Sequence, residues 1–401
     1  MTHRNFRYFW FGQCISLIGT WMQVTAQLWL VYTMTKSAFL LGLLGVAQFG
    51  PVLCLSLFAG VVIDRYPKKT LLLFTQIFLM LQACALALLV WSGHIVYWEV
   101  LLLAALLGLA NTLDLPARQS YVPELVERKD ISSAVGLNSA IVNVARMIGP
   151  ALSAMLMARY GAGPLFFLNA LSFIPVIISL YLINTKSVVI KKTEKRVLAE
   201  IMEGLRYIRH SPVLLAAVVS MLAVGTFVMN FNVIIPIYST VVLKQDVHGF
   251  GILLSASGAG SLIGALLVAS KVKGNPRLMI LVGSGFLVSA LLVLLDFIHL
   301  FPIAVGMFAI IGFVNIIFIV TVNSAIQINS SSQFRGRVMS VYSFAFLGTT
   351  PIGNLFAGSI TEKFGSGMGF LLCGVVSGFI ILLLVINILP KKHDKAPLST
   401  P

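Results

Sequence analysis

The sequence is short of charge. Only 10% of its 401 residues are Asp, Glu, Lys or Arg, against 58% hydrophobic, which is too little polar surface to cover a soluble globule. Acids are the scarcer sign, 13 against 28 Lys and Arg, and none falls clearly at the middle of an apolar run. Four cysteines are present, Cys14, Cys54, Cys84 and Cys373, all inside apolar runs and without metal spacing. They imply no disulfide framework and read most simply as small buried residues. The six histidines are scattered, so no metal site is expected. A Gly-x-x-x-x-Gly-Lys-Ser/Thr phosphate loop is missing, which excludes self-powering by nucleotide hydrolysis. No enzyme chemistry and no cofactor are expected.

What the chain does have is long oily stretches. Apolar runs cover about 9–33, 39–63, 70–91, 97–115, 131–158, 163–183, 212–243, 250–270, 278–297, 301–325, 338–360 and 367–389. Each approaches or exceeds the roughly 20 residues that cross a bilayer, so the expected fold is an all-α integral membrane protein of twelve transmembrane helices. With the N-terminus in the cytoplasm, 23 of the 28 basic residues fall on inside segments and only Lys36, Arg159, Lys244 and Lys363 outside. The net charge of +15 therefore records topology, with both termini cytoplasmic, and nucleic acid is not an expected partner. The first span is too long and too polar for the apolar core of a cleaved signal, so no removal is expected.

The longest polar interval, 184–211, carries seven Lys and Arg and divides the chain. The expected units are a six-helix bundle at 1–184, a basic cytoplasmic linker at 185–211, a second six-helix bundle at 212–390 and a cytoplasmic tail at 391–401. Within the linker, 192–210 suits a tether or a helix at anionic headgroups. The halves are related: Gly19-Thr20-Trp21 precedes Tyr32-Thr33 as Gly225-Thr226-Phe227 precedes Tyr238-Ser239, and Ser139 and Pro150 match Ser340 and Pro351 at a separation of 201 residues. Pseudo-symmetric halves with a site at their interface mark transporters.

The densest charge in the first third is Gly60-Val-Val-Ile-Asp64-Arg65-Tyr-Pro67-Lys68-Lys69. This stretch resembles the signature between the second and third helices of the major facilitator superfamily, with Pro67 in place of that family's second glycine. The resemblance implies that Gly60, Asp64, Arg65, Lys68 and Lys69 latch the two halves on the cytoplasmic side, Asp64 facing a helix N-terminus of the opposite half, where a helix dipole favours a carboxylate. The corresponding loop of the second half, 271–277, has no acid.

Polar residues inside the oil are the candidate ligands. Ser16, Thr20, Gln23 and Gln27 form one helical stripe and Ser139, Asn143, Arg146 and Pro150 another. Such a stripe faces either a partner helix or a cavity. Arg146 lies near mid-span, where a guanidinium costs roughly 2.5–3.5 kcal/mol. An anionic substrate or an ion pair, with Asp114 the nearest candidate, would offset that cost. Asn230 and Asn315 are the first choices in the second half. Gly149-Pro150 resembles the glycine-proline motif on the fifth helix of superfamily exporters. The run from Asp114 to Val126, with Ala134 to Ser139, resembles the bacterial exporters that include the enterobactin exporter and macrolide-efflux proteins.

Together these readings imply a multi-pass transporter of a bacterial inner membrane that exports a small organic molecule by alternating access. The resemblance implies proton antiport, with Asp114 as the best available carrier. A midplane arginine with few acids favours siderophore-like cargo; a multidrug or macrolide efflux pump is the alternative, ahead of a nutrient importer or a non-transporting sensor. The expected partners are the small-molecule substrate, protons and membrane lipid, with an outer-membrane or periplasmic export partner compatible with them.

Overall fold

In lipid a backbone must satisfy its own polar groups, and for apolar runs of this length the α-helix is the form that does so. A computed structural model of the chain describes residues 3–183, 197–271, 278–331 and 334–388, and all regular structure among them is helical. The first six helices are α1 (Arg4–Thr35), α2 (Ala38–Arg65), α3 (Lys68–Trp91), α4 (Tyr97–Tyr121), α5 (Ile131–Tyr160) and α6 (Gly163–Leu182). After α7 (Val197–Arg209) follow α8 (Pro212–Ala223), the single turn α9 (Ile235–Ile237), α10 (Val247–Lys271), α11 (Leu278–Leu294), α12 (Phe301–Asn329), α13 (Arg335–Ser343) and α14 (Thr350–Ile388).

Helix ends follow local chemistry. Lys36 closes α1 in the left-handed region (φ 51°), and Ser37 then caps α2 by accepting from the Leu40 amide at 3.2 Å. Ser211 caps α8 in the same way, with Pro212 at the first helical position, where no amide donor is needed. Eleven described stretches are long and apolar enough to cross a membrane, the last being the 53 residues Arg335–Asn387. That stretch is interrupted by a π-helical turn at Phe344–Gly348 and by Gly365 (φ 88°, ψ 167°), a conformation open mainly to glycine.

Alternation of direction puts residue 4 and the α2–α3 turn on one face, the N-terminal face, and the α1–α2 turn at 36–37 on the opposite face. The buried apolar residues of 208–381 make one large cluster, and those of 6–183, with Val233 and Val247, make three smaller ones. The two sets meet along α2 with α14 and along α5 with α10. At the opposite face Tyr32 and Thr240 share a hydroxyl hydrogen bond and Trp29 stacks on Phe250 at 5.3 Å. The related pairs behave alike: Pro150 and Pro351 are both buried, while Ser139 and Ser340 are both exposed.

Three expectations need revision. The 184–211 interval contains the helix α7, but it is docked: Tyr207 stacks on Phe334 (4.6 Å, 5°), accepts from the Ser331 amide at 3.1 Å, and Glu203 pairs with Arg337. Residues 184–196, the 272–277 loop and the tail lie outside the described residues. Cys54 is exposed, Cys14 and Cys84 are half-buried and only Cys373 is buried. Finally, the seventh run is not one continuous α-helix. It passes from α8 through π-helical Val224–Val228 and a short 3-10 turn to α9 and π-helical Tyr238–Val242.

Pro236 explains part of this break, because it has no amide for the carbonyl four residues back. Asn230 holds the break together. Its Nδ2 donates to the Gly225 and Thr226 carbonyls at 3.0 and 2.6 Å. Asn230→Ala is therefore expected to destabilise the protein by about 1–3 kcal/mol, the range for leaving buried acceptors unpaired. By contrast Asn315→Ala removes a buried Oδ1 that has no partner and is expected to be neutral or stabilising. Thermal unfolding of both purified variants beside the parent checks the contrast.

Candidate functional site

Arg146 sits where α1, α5 and α10 meet. Gly149 carries no side chain, and a Cβ there would lie 2.5 Å from that of Trp21, so α1 crosses α5 in close contact. Ser153, one turn further along α5, donates to the Met22 carbonyl at 3.0 Å and fixes the crossing. On the other flank Gly258 brings α10 against the backbone of Arg146 and Met147, its missing Cβ falling 2.6 Å from the Met147 Cα. The guanidinium then lies 5.0 Å above the Trp21 ring, a cation–π contact. Its Nε is buried without a partner, although the side chain is partly exposed. Among the described residues no carboxylate pairs with Arg146. The Gly149-Pro150 motif is thus at the seam, the glycine against α1 and the Pro150 carbonyl against Gly251 of α10.

Asp114 belongs elsewhere. Its Oδ1 accepts from Thr75 Oγ1 and Gln76 Nε2, both at 2.7 Å, and its Oδ2 from Arg118 at 2.6 and 3.1 Å. Arg118 reaches on to the Gln13 side-chain carbonyl. This cluster ties α1, α3 and α4 together near the N-terminal face. The correction to the ion-pair expectation is physical: Arg118, at i+4 on the same helix, is already in place as the partner.

The α1 stripe also turns inward. Gln23, 2% exposed, donates to Gln82 at 3.2 Å and accepts from Asn169 at 2.7 Å, and Gln82 continues to the Leu103 carbonyl. Thr20 bonds back to the Ser16 carbonyl at 2.9 Å. Gln23 and Thr20 are thus helix-to-helix and intrahelical partners, not groups brought to Arg146. Gln27 is buried with its Nε2 unpartnered, and half-buried Asn315 has a buried, unpartnered Oδ1. Asn143 bonds back to the Ser139 carbonyl at 2.9 Å, and Asn230 serves the seventh-span break.

In the signature loop, Lys68 and Lys69 open α3, an end where the dipole disfavours cations. They reach instead to the C-terminal ends of neighbouring helices, where it favours them. Lys68 pairs with Glu124 at 2.5 Å and contacts the Ser120 carbonyl, and Lys69 donates to the Ile183 carbonyl at 2.7 Å. Both contacts stay within residues 3–183. Arg65 is exposed at the end of α2. Gly60 and Asp64 are helical, but their surroundings lie outside the described residues. Nearby, His3 bonds Asp130 at 2.7 Å and holds that carboxyl below its ordinary range.

Trp21, Arg118, Gln13, Thr75, Gln76, Gln82 and Asn169 were missed as a set. The signal for most of them was the recurrence of amides and hydroxyls in α3 and α6 at depths matching the α1 stripe. Trp21 gave none beyond being a tryptophan deep within a span. Among the described residues no group of three His, Cys, Asp or Glu could hold a metal ion.

A family model described as transmembrane secretion effector, a branch of the major facilitator superfamily, matches residues 1–399. The staphyloferrin A transporter of Staphylococcus aureus is 24% identical over 92% of this chain and 92% of its own. Macrolide efflux protein A of Streptococcus pyogenes is 22% identical over 93% of each chain. A bacterial homologue of the human lysosomal transporter Spinster, solved in an inward-facing and unoccupied conformation, superposes with a TM-score of 0.70 at 14% identity, over 99% of this chain and 100% of the other.

The Asp114 cluster yields a stability prediction. Asp114→Asn leaves Arg118, its side chain only 12% exposed, without its counter-charge and is expected to destabilise the protein by about 3–5 kcal/mol, whereas Asp114→Leu combined with Arg118→Met should recover most of the loss. Thermal or denaturant unfolding of the purified variants measures both.

Proposed function

Because the chain belongs to the transmembrane secretion effector family of the major facilitator superfamily, we propose that it exports a small organic anion from the bacterial cytoplasm by alternating access, with siderophore-like cargo favoured. It is a small-molecule transporter, multi-pass in the inner membrane. The observation that carries the finer reading is Arg146: a guanidinium at the meeting of α1, α5 and α10, seated on Trp21 and lacking a carboxylate among the described residues. A half-buried cation within a span, kept without a counter-ion among the described residues, suits a cargo that supplies one. The name of the staphylococcal relative supports the same cargo class.

The topology proposed is twelve crossings. At 1.5 Å per residue the 53-residue stretch Arg335–Asn387 is about 80 Å long, against about 30 Å of hydrocarbon. Gly365 is then the turn between the eleventh and twelfth crossings. The halves are 1–184 and 212–390, the linker 185–211 and the tail 391–401, with both termini and the N-terminal face cytoplasmic by the distribution of Lys and Arg. Contacts across the seam at the proposed outer face, those of Tyr32 and Glu362, together with the exposure of Ser139 and Ser340 near the inner ends of their spans, support a cavity open inward. Gln27, Asn143 and Asn315 join Arg146 as proposed ligands. Gly60, Asp64, Arg65, Lys68 and Lys69 act as the inner latch and Gly149 and Pro150 as the seam pivot. Proton antiport would run through Asp114, with Arg118 released as the proton arrives. Macrolide or multidrug efflux is the second reading, favoured by the streptococcal relative.

The deciding experiment compares the culture medium of a deletion strain, its parent and a complemented strain under iron limitation by mass spectrometry. Export predicts that an iron-chelating metabolite leaves the medium and builds up in the cells. An unchanged medium would remove siderophore export from the lead, and drug susceptibility of the same strains would then test the second reading. With cargo identified, Arg146→Ala is expected to lower export about tenfold or more, from the roughly 1.5–3 kcal/mol of a charged hydrogen bond, and Arg146→Lys less.

A further inference from the structure

Along the seam, α2 and the span that ends just before Gly365 run antiparallel: Ala38 lies beside Gly358 and Gly45 beside Asn354. Asn354, Gly358 and Glu362 recur every four residues and so share one helix face. Opposite them stand Ala38, Gly42 and Gly45. With no Cβ on Gly358 the Ala38 carbonyl comes within 2.6 Å of where one would stand, and Gly42 stands equally near the Asn354 carbonyl. Backbones this close bring the last member of the stripe onto the first turn of α2.

Glu362 meets the first turn of α2 with a single oxygen. Its Oε2 accepts from the Ala38 amide at 2.7 Å, from Ser37 Oγ at 3.1 Å and from the Phe39 amide at 3.3 Å. An acid at the C-terminal end of its own helix is disfavoured by that helix's dipole, and the free amides of an N-terminus reverse the sign. The favourable N-terminus here belongs to the other half of the protein. Two cations are near: Lys36, whose Nζ lies 4.8 Å over the Tyr32 ring, and exposed Lys363. Among the described residues neither forms an ion pair with Glu362, so α2 itself supplies the opposing charge.

We propose that Glu362 is the outer-face latch of this transporter, a carboxylate of the second half that grips the N-terminus of α2 while the cavity opens inward and releases it when the cavity opens outward. The pairing mirrors the one that the signature loop implies at the inner face. There Asp64 stands one residue before the end of α2, and α13, the beginning of the same span as Glu362, starts at Arg335. Each helix of the antiparallel pair thus carries an acid near its C-terminal end; Glu362 meets the N-terminus of the other helix, and the resemblance implies the same of Asp64. The two contacts sit at opposite faces, so rocking of the halves makes one as it breaks the other. This inference rests on the alternating-access reading above.

The test places spin labels on exposed outer-face positions of each half, through Val96→Cys and Leu300→Cys in full-length protein whose native cysteines are replaced by alanine. Pulsed electron paramagnetic resonance then reports the distance between the halves. The parent is expected to hold mainly the short distance. Glu362→Gln, isosteric but uncharged, should raise the ratio of long to short distances about two- to fivefold. Glu362→Ala should raise it about tenfold, and Ser37→Ala should move it in the same direction by less. The latch is overturned when Glu362→Gln and Ser37→Ala, folded by gel filtration, keep the parent's distance distribution. A shifted distribution in a protein that exports nothing would leave the latch standing and remove the export reading instead, so the two failures are separable.

Discussion

Hydrocarbon has no water to offer a polar atom whose partner is taken away, and the organisation of this chain follows from that. In the first half two buried networks answer it at different depths. Gln13, Arg118, Asp114, Thr75 and Gln76 join α1, α3 and α4, while Asn169, Gln23 and Gln82 join α1, α3 and α6. The second half uses smaller means: Ser289 to Ser377 at 2.9 Å, Ser261 to the Gly312 carbonyl at 3.1 Å, and an aromatic cluster of Tyr238, Phe308 and Phe370. With most polar groups committed in this way, the uncommitted ones stand out. Twelve buried side-chain atoms of the described residues lack a partner, Arg146 Nε, Gln27 Nε2 and Asn315 Oδ1 among them, and these three are the ones that the proposed site takes up.

Sequence alone went far with the fold because the constraint acts residue by residue. The apolar runs at 70–91 and 97–115 became α3 and α4, and the 201-residue repeat reappeared as paired buried prolines and paired exposed serines. It failed where the backbone departs from a uniform helix. The break in the seventh span is stabilised by one side chain, Asn230, bonding two carbonyls of the same span, and periodicity has no channel for such a contact. The docking of α7 on α13 was equally hidden, since Tyr207 and Phe334 are too far apart in sequence for any local pattern to join them.

The candidate site was legible in part for a related reason. Arg146 was conspicuous because an arginine in a span is costly wherever it points. Gln23 was not informative by itself, because a stripe of polar residues looks the same whether it lines a cavity or a neighbouring helix. Only the positions of Gln82 and Asn169 decide between them, and they lie on α3 and α6. The same ambiguity attended Asp114, whose partner turned out to be four residues away on its own helix. Spacing could have suggested that pair.

Unequal cohesion within and between the halves is what allows such a molecule to move. Each half is knit by buried polar bonds or interlocked rings, whereas among the described residues the seam combines glycine contacts and apolar packing, such as Trp29 on Phe250, with a few hydrogen bonds at one face, those of Glu362 with α2 and of Tyr32 with Thr240. Between helices in a membrane there is no hydrophobic gain to hold a seam closed, and a polar contact there is worth only about 0.6 kcal/mol on average. A handful of them amounts to a few kcal/mol, within reach of a ligand that prefers one arrangement by a hundredfold or more. The glycines add tight van der Waals fit without adding directional bonds, so separation at that face leaves few backbone groups unsatisfied. Arg146 stands beside that seam, on the helix that both crosses α1 and packs on α10. An anion drawn to its guanidinium would therefore contact the two halves at the place where their relative position is decided.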